Sequence, residues 1–243
     1  MTAAYQIGAS LTDLCRYAEG PRDRQLLLGD AFHLIKEDAD WSYGHAEKDG
    51  YQGYVKTATL EAAIPKSHWV STLSSHAYAA PDLKSTDQIS LPFGSQVTVT
   101  AQSGAFYETT QGFIPYQHLY PIGTFFTDPI QVAMMFLGAP YLWGGNSASG
   151  IDCSGLIQAA CLACGNDCPG DTGQQQEFFP DFKGTWAKGQ LLFWPGHVAL
   201  TINTDELIHA NAHAMSVRVE GIKTTIERIS NAGDGHIIHR TQL

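Results

Sequence analysis

Tyr141-Leu142-Trp143-Gly144-Gly145, then a polar turn and Gly150-Ile151-Asp152-Cys153-Ser154-Gly155-Leu156, is the densest run of chemistry-bearing residues in the 243-residue sequence. An apolar helix is expected next, from about Ser154 to Ala163, which puts the cysteine at a helix N-terminus. Unpaired backbone N–H groups and the positive end of the helix dipole favour a thiolate there. The pKa of Cys153 is therefore expected to fall and its nucleophilicity at neutral pH to rise. The same donors can serve a developing oxyanion. Gly144-Gly145 signals close backbone approach, and Trp143 beside it is expected to pack beneath the cysteine rather than to face a substrate.

Gly196-His197-Val198-Ala199-Leu200-Thr201-Ile202 and Leu207-Ile208-His209-Ala210 read as a hairpin with one histidine on each strand. With Asn203-Thr204-Asp205 as a three-residue loop, residues whose numbers sum to 408 pair. His209 then lies opposite Ala199, diagonal to His197 on the same face. A two-residue loop would separate the two histidines onto opposite faces. Further strands are expected at Gln190 to Trp194, Ser216 to Glu220 and His236 to Arg240. A helix is expected from Ile130 to Leu137, with Asp128 as its cap and Pro129 in its first turn. Helices followed by strands make an α+β domain over residues 121–243.

Before Pro121 the pattern is short alternating runs broken by Gly and Asp, the signature of an all-β region. It recurs: Gly53 to Gly112 and Leu60 to Leu119 are both offsets of 59, and Gly29 to Gly94 is an offset of 65. Two small barrels are expected in tandem, at 1–63 and 64–120, the second with a shorter middle hairpin.

The chain carries 14 Lys and Arg against 24 Asp and Glu, a net charge of −10, which opposes nucleic acid and anionic membrane surfaces as partners. No apolar run approaches the ~20 residues of a bilayer-spanning helix. The start, Met-Thr-Ala-Ala-Tyr-Gln, has no cationic and apolar leader pattern, and a cytoplasmic location is the expectation. Five cysteines at 15, 153, 161, 164 and 168 do not form a disulfide framework. The C-x2-C-x3-C spacing of the last three lacks a matching ligand pair downstream, so they are expected to be ordinary thiols, with no metal and no cofactor. His213, His236 and His239 read as strand or loop residues.

Taken together, Y-x-W-G-G, D-C-S-G-L, G-H-V and I-H-A, in this order, resemble the NlpC-type cysteine peptidases that cut peptidoglycan peptides. That resemblance implies a circularly permuted papain-like α+β fold over 121–243. It implies Cys153 as nucleophile, His197 as general base and later acid, and His209 as the polar residue orienting His197. Tyr141 would add its hydroxyl to the backbone N–H of Cys153 in an oxyanion hole. Where the family usually has Gly-Asp-Leu, this sequence has Gly189-Gln190-Leu191, which leaves the triad intact and removes that carboxylate.

The two N-terminal barrels each resemble a bacterial SH3-like domain, and their combination with the peptidase narrows the resemblance to the γ-D-glutamyl-L-diamino acid endopeptidases. In those enzymes the first SH3-like domain closes one end of the cleft, and an acidic pocket holds the free N-terminal L-Ala. By position this implies substrate-binding roles for Asp152, Ser154, Thr172, Tyr51 and Glu19. A buried ammonium needs a carboxylate and further acceptors, and a chain running past such a pocket would clash. The expected substrate is a short murein peptide of the L-Ala-γ-D-Glu-diaminopimelate (or Lys) type, cut after D-Glu during wall-peptide recycling. Two other readings stand beside it: a secreted hydrolase of intact wall, and a non-catalytic muropeptide-binding protein. Neither the oligomeric state nor the identity of the diamino acid is legible.

Overall fold

A computed structural model describes residues 4–243. The chain divides into two compact units, one ending at Phe125 and the other Phe126–Leu243. None of the described helices is long and apolar enough to cross a membrane.

The first unit is built of antiparallel β-sheets. Its larger sheet has seven strands in the order 22–27, 11–15, 52–56, 41–46, 31–37, 4–7 and 60–62. Ile7, Leu14, Leu26, Phe32, Ala46 and Val55 fill its core. A five-stranded and a three-stranded sheet follow, around Leu28, Val70, Ala77, Leu91, Val97, Ile114 and Leu119. The repeat read from the sequence is visible in local structure. Strand 52–56, a 3₁₀ turn at Thr57–Thr59 and a strand from Leu60 recur as strand 112–115, a turn at Tyr116–His118 and a strand from Leu119. Gly29 and Gly94 both turn with φ near +85° (83° and 87°). Their N–H groups bond the carbonyls of Ile7 and Val70, which occupy equivalent places in the two cores. Any side chain at Gly29 would also strike the Gln96 carbonyl, 2.3 Å from the Cβ position.

The second unit places helices against one antiparallel sheet. Its helices are α1 (Pro129–Met135), α2 (Cys153–Ala163), α3 (Thr172–Phe178) and α4 (Ile222–Ala232). Its main strands are β1 (Gln190–Trp194), β2 (His197–Thr201), β3 (Glu206–Asn211), β4 (Ser216–Gly221) and β5 (His239–Gln242), ordered β4-β3-β2-β1-β5. α1, α2 and most of the strands lie where the sequence places them, whereas α3 and α4 are additional to the expected elements. Asp128 caps α1 by accepting from the Ile130 N–H at 2.8 Å, with Pro129 in the first turn. Nearly all of α2 is buried, so it runs through the interior rather than over the surface. In α4, Ile222 and Ile229 join Leu192, Trp194, Ala199 and Leu207 in a core on one side of the sheet, and Gly233 ends the helix at φ 84°.

Candidate active site

Why Cys153 opens a helix follows from the residue before it. Asp152 has extended backbone, and its Oδ1 accepts from the Gly155 N–H at 2.7 Å, satisfying a donor that the first turn leaves open. Its Oδ2 accepts from the Gly144 N–H at 2.8 Å, so one carboxylate ties the Gly-Gly loop to the helix start. The Ser154 hydroxyl donates to Oδ1 at 3.1 Å. The glycines are steric necessities: a Cβ on Gly145 would lie 2.4 Å from the Gly150 carbonyl oxygen, and one on Gly155 would lie 2.6 Å from the Gly145 oxygen.

The thiol is buried at this junction. Its Sγ lies 3.7 Å from Thr172 Oγ1 at the start of α3 and 4.0 Å from the Gly196 carbonyl. The Val198 N–H also reaches it, so both backbone neighbours of His197 meet the sulfur. The hairpin pairs Leu200 with Ile208 and Thr201 with Leu207, the register expected for a three-residue loop. His197 Nε2 and His209 Nδ1 are 2.8 Å apart. Tyr141 lies close enough for the charges of Cys153 and Asp152 to raise its hydroxyl pKa, after burial, which raises it most; it stays a protonated donor.

Two expectations need correcting. Burial pushes the Cys153 thiol up, to about 11, and the neighbouring Asp152 carboxylate pushes the same way. Hydrogen bonding from the Val198 and Ser154 N–H groups and Thr172 opposes this and is outweighed, so the resting sulfur is a thiol and the expected fall does not occur. A helix N-terminus supplies only partial charge, whereas complete burial strips the thiolate of water. Trp143 is the second: it is 63% exposed rather than packed beneath the cysteine, because the turn at Gly144, φ 69°, carries the chain inward only from that point on.

His197 carries the complementary shift. Burial and the nearby His209 and Arg228 lower it to about 3, so thiol and imidazole are both neutral at pH 7. From its ordinary value of 6.5 down to about 3, the unfolded chain binds a proton at this position that the folded chain does not. His197 therefore makes stability fall as pH drops through that window. Glu220, held down to about 2 from 4.5 chiefly by its bond to His209, contributes stability present above pH 4.5 and lost as pH falls through about 2. Between 6.5 and 4.5 His197 acts without Glu220 and beside His68 and His118, which burial also lowers, so its share is read by difference: His197→Asn is expected to flatten part of the decline of Tm there relative to wild type, measured by thermal scans at stepped pH. An unchanged slope would contradict a neutral buried imidazole.

Behind the histidines lies a polar network that the sequence reading did not include. His209, 1% exposed, has Nε2 at 2.9 Å from Glu220 Oε2 and 2.9 Å from Asn211 Nδ2. Thr225 and Arg228 of α4 donate to the same Glu220 oxygen. The signal was present in the spacing: β3 and β4 pair His209 with Arg218 and Leu207 with Glu220, which sets Glu220 diagonal to His209 on one face. Gln190, at the position of the altered Gly-Gln-Leu step, is fully buried in β1 and donates to the Thr185 carbonyl, serving the sheet.

Residues 138–231 match the NlpC/P60 family model, and residues 14–60 match the bacterial dipeptidyl-peptidase SH3 domain. The chain carries an NlpC/P60 cysteine peptidase domain behind an SH3 domain. Among curated proteins it is similar to dipeptidyl-peptidase 6 of Lysinibacillus sphaericus, 29% identical over 82% of this chain and 83% of that one. It is also similar to the γ-D-glutamyl-L-lysine dipeptidyl-peptidase of Bacillus subtilis (strain 168), 26% identical over 83% of this chain and 76% of that one. The crystal structure of an NlpC/P60 family protein from Bacillus cereus ATCC 10987 shares the fold, with a TM-score of 0.77 at 18% identity over 90% of this chain and 94% of that one.

Within the NlpC/P60 domain the structure brings Cys153, Asp152, Ser154, Thr172, Tyr141, His197 and His209 into one neighbourhood. Tyr51 and Glu19 belong to the other unit. The Tyr51 ring packs on the first β core with the Arg24 guanidinium 5.7 Å from its centroid. Glu19 is exposed in the turn between strands 11–15 and 22–27, at φ 60°, and lines a cavity with Asp13, Cys15, Trp41 and Lys56. Both oxygens of Asp152 already accept from the protein, so any ammonium it read would have to share a carboxylate engaged at the helix cap.

Proposed function

We propose that this NlpC/P60 protein hydrolyses the γ-D-glutamyl bond to diaminopimelate or Lys in short murein peptides that begin with a free L-Ala. The observation that carries the reading is the buried Cys153 thiol at the head of α2, beside the strand that presents His197 with its Nε2 bonded to His209. Relatives named γ-D-glutamyl-L-lysine dipeptidyl-peptidase support the bond class. The recurrence of strand, 3₁₀ turn and strand supports reading the second β assembly as another SH3-like domain.

In this scheme Cys153 Sγ attacks the γ-carbonyl carbon as its proton passes to His197 Nδ1, the ring nitrogen not bonded to His209. The oxyanion meets donors at the start of α2 and the protonated Tyr141 hydroxyl. Collapse breaks the C–N bond, and His197 returns the proton to the leaving α-amine. Water then attacks the thioester, losing a proton to His197, and the carboxylic acid departs as the thiol is restored. Proton transfer accompanies attack because no thiolate stands ready, so slow alkylation of Cys153 at pH 7 does not distinguish the enzyme from a binding module.

The test is mass spectrometry after incubation with L-Ala-γ-D-Glu-diaminopimelate and with the same tripeptide N-acetylated. Release of L-Ala-γ-D-Glu from the free peptide alone is expected. Equal cleavage of both would discard an amine-reading role for Asp152, Ser154 and Thr172 and with it the turnover role and its cytoplasmic setting. Cleavage of neither would overturn the peptidase reading.

A further inference from the structure

An imidazole that accepts a proton from a thiol must present a bare nitrogen to it, and the His197–His209 pair can be arranged in two ways. In one, His197 Nε2–H donates to a bare His209 Nδ1, leaving His197 Nδ1 free to accept. In the other, His209 Nδ1–H donates to a bare His197 Nε2, and His197 carries its hydrogen on Nδ1, so that no bare nitrogen is left to take a proton. The 2.8 Å between His197 Nε2 and His209 Nδ1 fits both equally. The choice is made one residue further back, at His209 Nε2.

Two groups compete for that atom at the same 2.9 Å. Glu220 Oε2 only accepts, so it requires Nε2–H and thereby the productive arrangement. Asn211 Nδ2 only donates, so it requires a bare Nε2 and the unproductive one. Asn211 cannot escape by rotating its amide, because its Oδ1 already accepts from the Ala214 N–H at 2.7 Å, and the exchange would oppose two donors there. A bond to a charged acceptor is about twice as strong as one between neutral groups. Arg228 and Thr225 both donate to the same carboxylate oxygen and hold it ionised and in place.

We infer that Glu220 is a positioning residue that sets the tautomer of both histidines, against an Asn211 poised to impose the opposite one. Its bonds are to His209, Thr225 and Arg228, so it acts through His209. The catalytic consequence rests on the function proposed above, whereas the tautomer itself does not.

The experiment uses full-length protein labelled with ¹⁵N at histidine, reading which ring nitrogens carry hydrogen at pH 7, alongside tripeptide cleavage. In the wild type, both His197 and His209 are expected to be protonated at Nε2. Glu220→Ala should move both protons to Nδ1 and lower kcat by about 10²-fold or more with little change in KM, the pattern of a mis-set tautomer. Glu220→Gln, which preserves the shape and an acceptor for Arg228, should show both tautomers. The decisive variant is Glu220→Ala with Asn211→Asp, which moves the carboxylate to the competing position while still accepting from Ala214 N–H. It should restore Nε2 protonation and at least about tenfold of the lost rate. Wild-type tautomers persisting in Glu220→Ala and Glu220→Gln, or no return of Nε2 protonation in the double variant, would overturn the inference. Failure of the wild type to cleave the peptide would instead count against the proposed function, with the tautomer result still standing on its own.

Discussion

Cys153→Ala is expected to lower release of L-Ala-γ-D-Glu by about 10⁵-fold or more while leaving substrate affinity and the fold in place, since groups that act as a unit lose nearly all their effect together. The sulfur is the only atom removed. It is buried, its contacts to Thr172 and Gly196 are long, and Asp152 rather than the thiol holds the start of α2. Near-UV circular dichroism of the variant should therefore match the wild type, and the tripeptide should still protect it against thermal unfolding. Residual cleavage above about 1% of wild type would assign the chemistry elsewhere.

Gly155→Ala is expected to be far more damaging than a single methyl suggests. Its Cβ would stand 2.6 Å from the Asn146 Oδ1, 2.6 Å from the Gly145 carbonyl oxygen and 3.0 Å from the Asp152 Oδ1 that caps the helix. Two of these belong to the clamp joining the Gly-Gly loop to α2, so relief means moving the first turn and with it Cys153. Overpacking of this kind costs about 1–3 kcal/mol, and a Tm lower by roughly 4 °C for each kcal/mol is expected from thermal denaturation. On the proposed function, a displacement of ~1 Å at Cys153 also costs about 10²-fold in rate, so activity should fall even below the melting transition. Gly173→Ala is the matched control, since its nearest contact is 3.4 Å from the new Cβ and the expected change is a stabilisation of at most about 1 kcal/mol from helix propensity.

How much of this could be read in advance differs from element to element. Asp128 and Pro129 announced α1, and the loop between Thr201 and Leu207 dictated the hairpin register that brings the two histidines together, because turn length and side-chain alternation are local properties. No element is expected from the sequence between Glu220 and His236, where α4 lies: Ile222, Thr225 and Ile229 follow a helical period and Gly233 closes it, but Gly221 has no side chain to cap the start and so gives no local start signal. Glu220 was overlooked for a related reason. Its pairing with Leu207 follows from arithmetic once the second hairpin is drawn, but its partners Arg228 and Thr225 come from that unread helix.

By itself the sequence determined the order and identity of the groups that the structure brings together: a cysteine behind an Asp cap, two histidines on paired strands, glycines where no side chain fits, and an all-β region before them. Those features depend on neighbours a few residues away or on one hairpin. Only the tertiary structure decided the protonation of those groups. Helix position alone favours a thiolate at Cys153, but complete burial beside Asp152 keeps it a thiol, and burial with His209 and Arg228 nearby keeps His197 neutral. The cost of removing charge from water depends on every atom packed around a site, and no spacing along the chain records that sum.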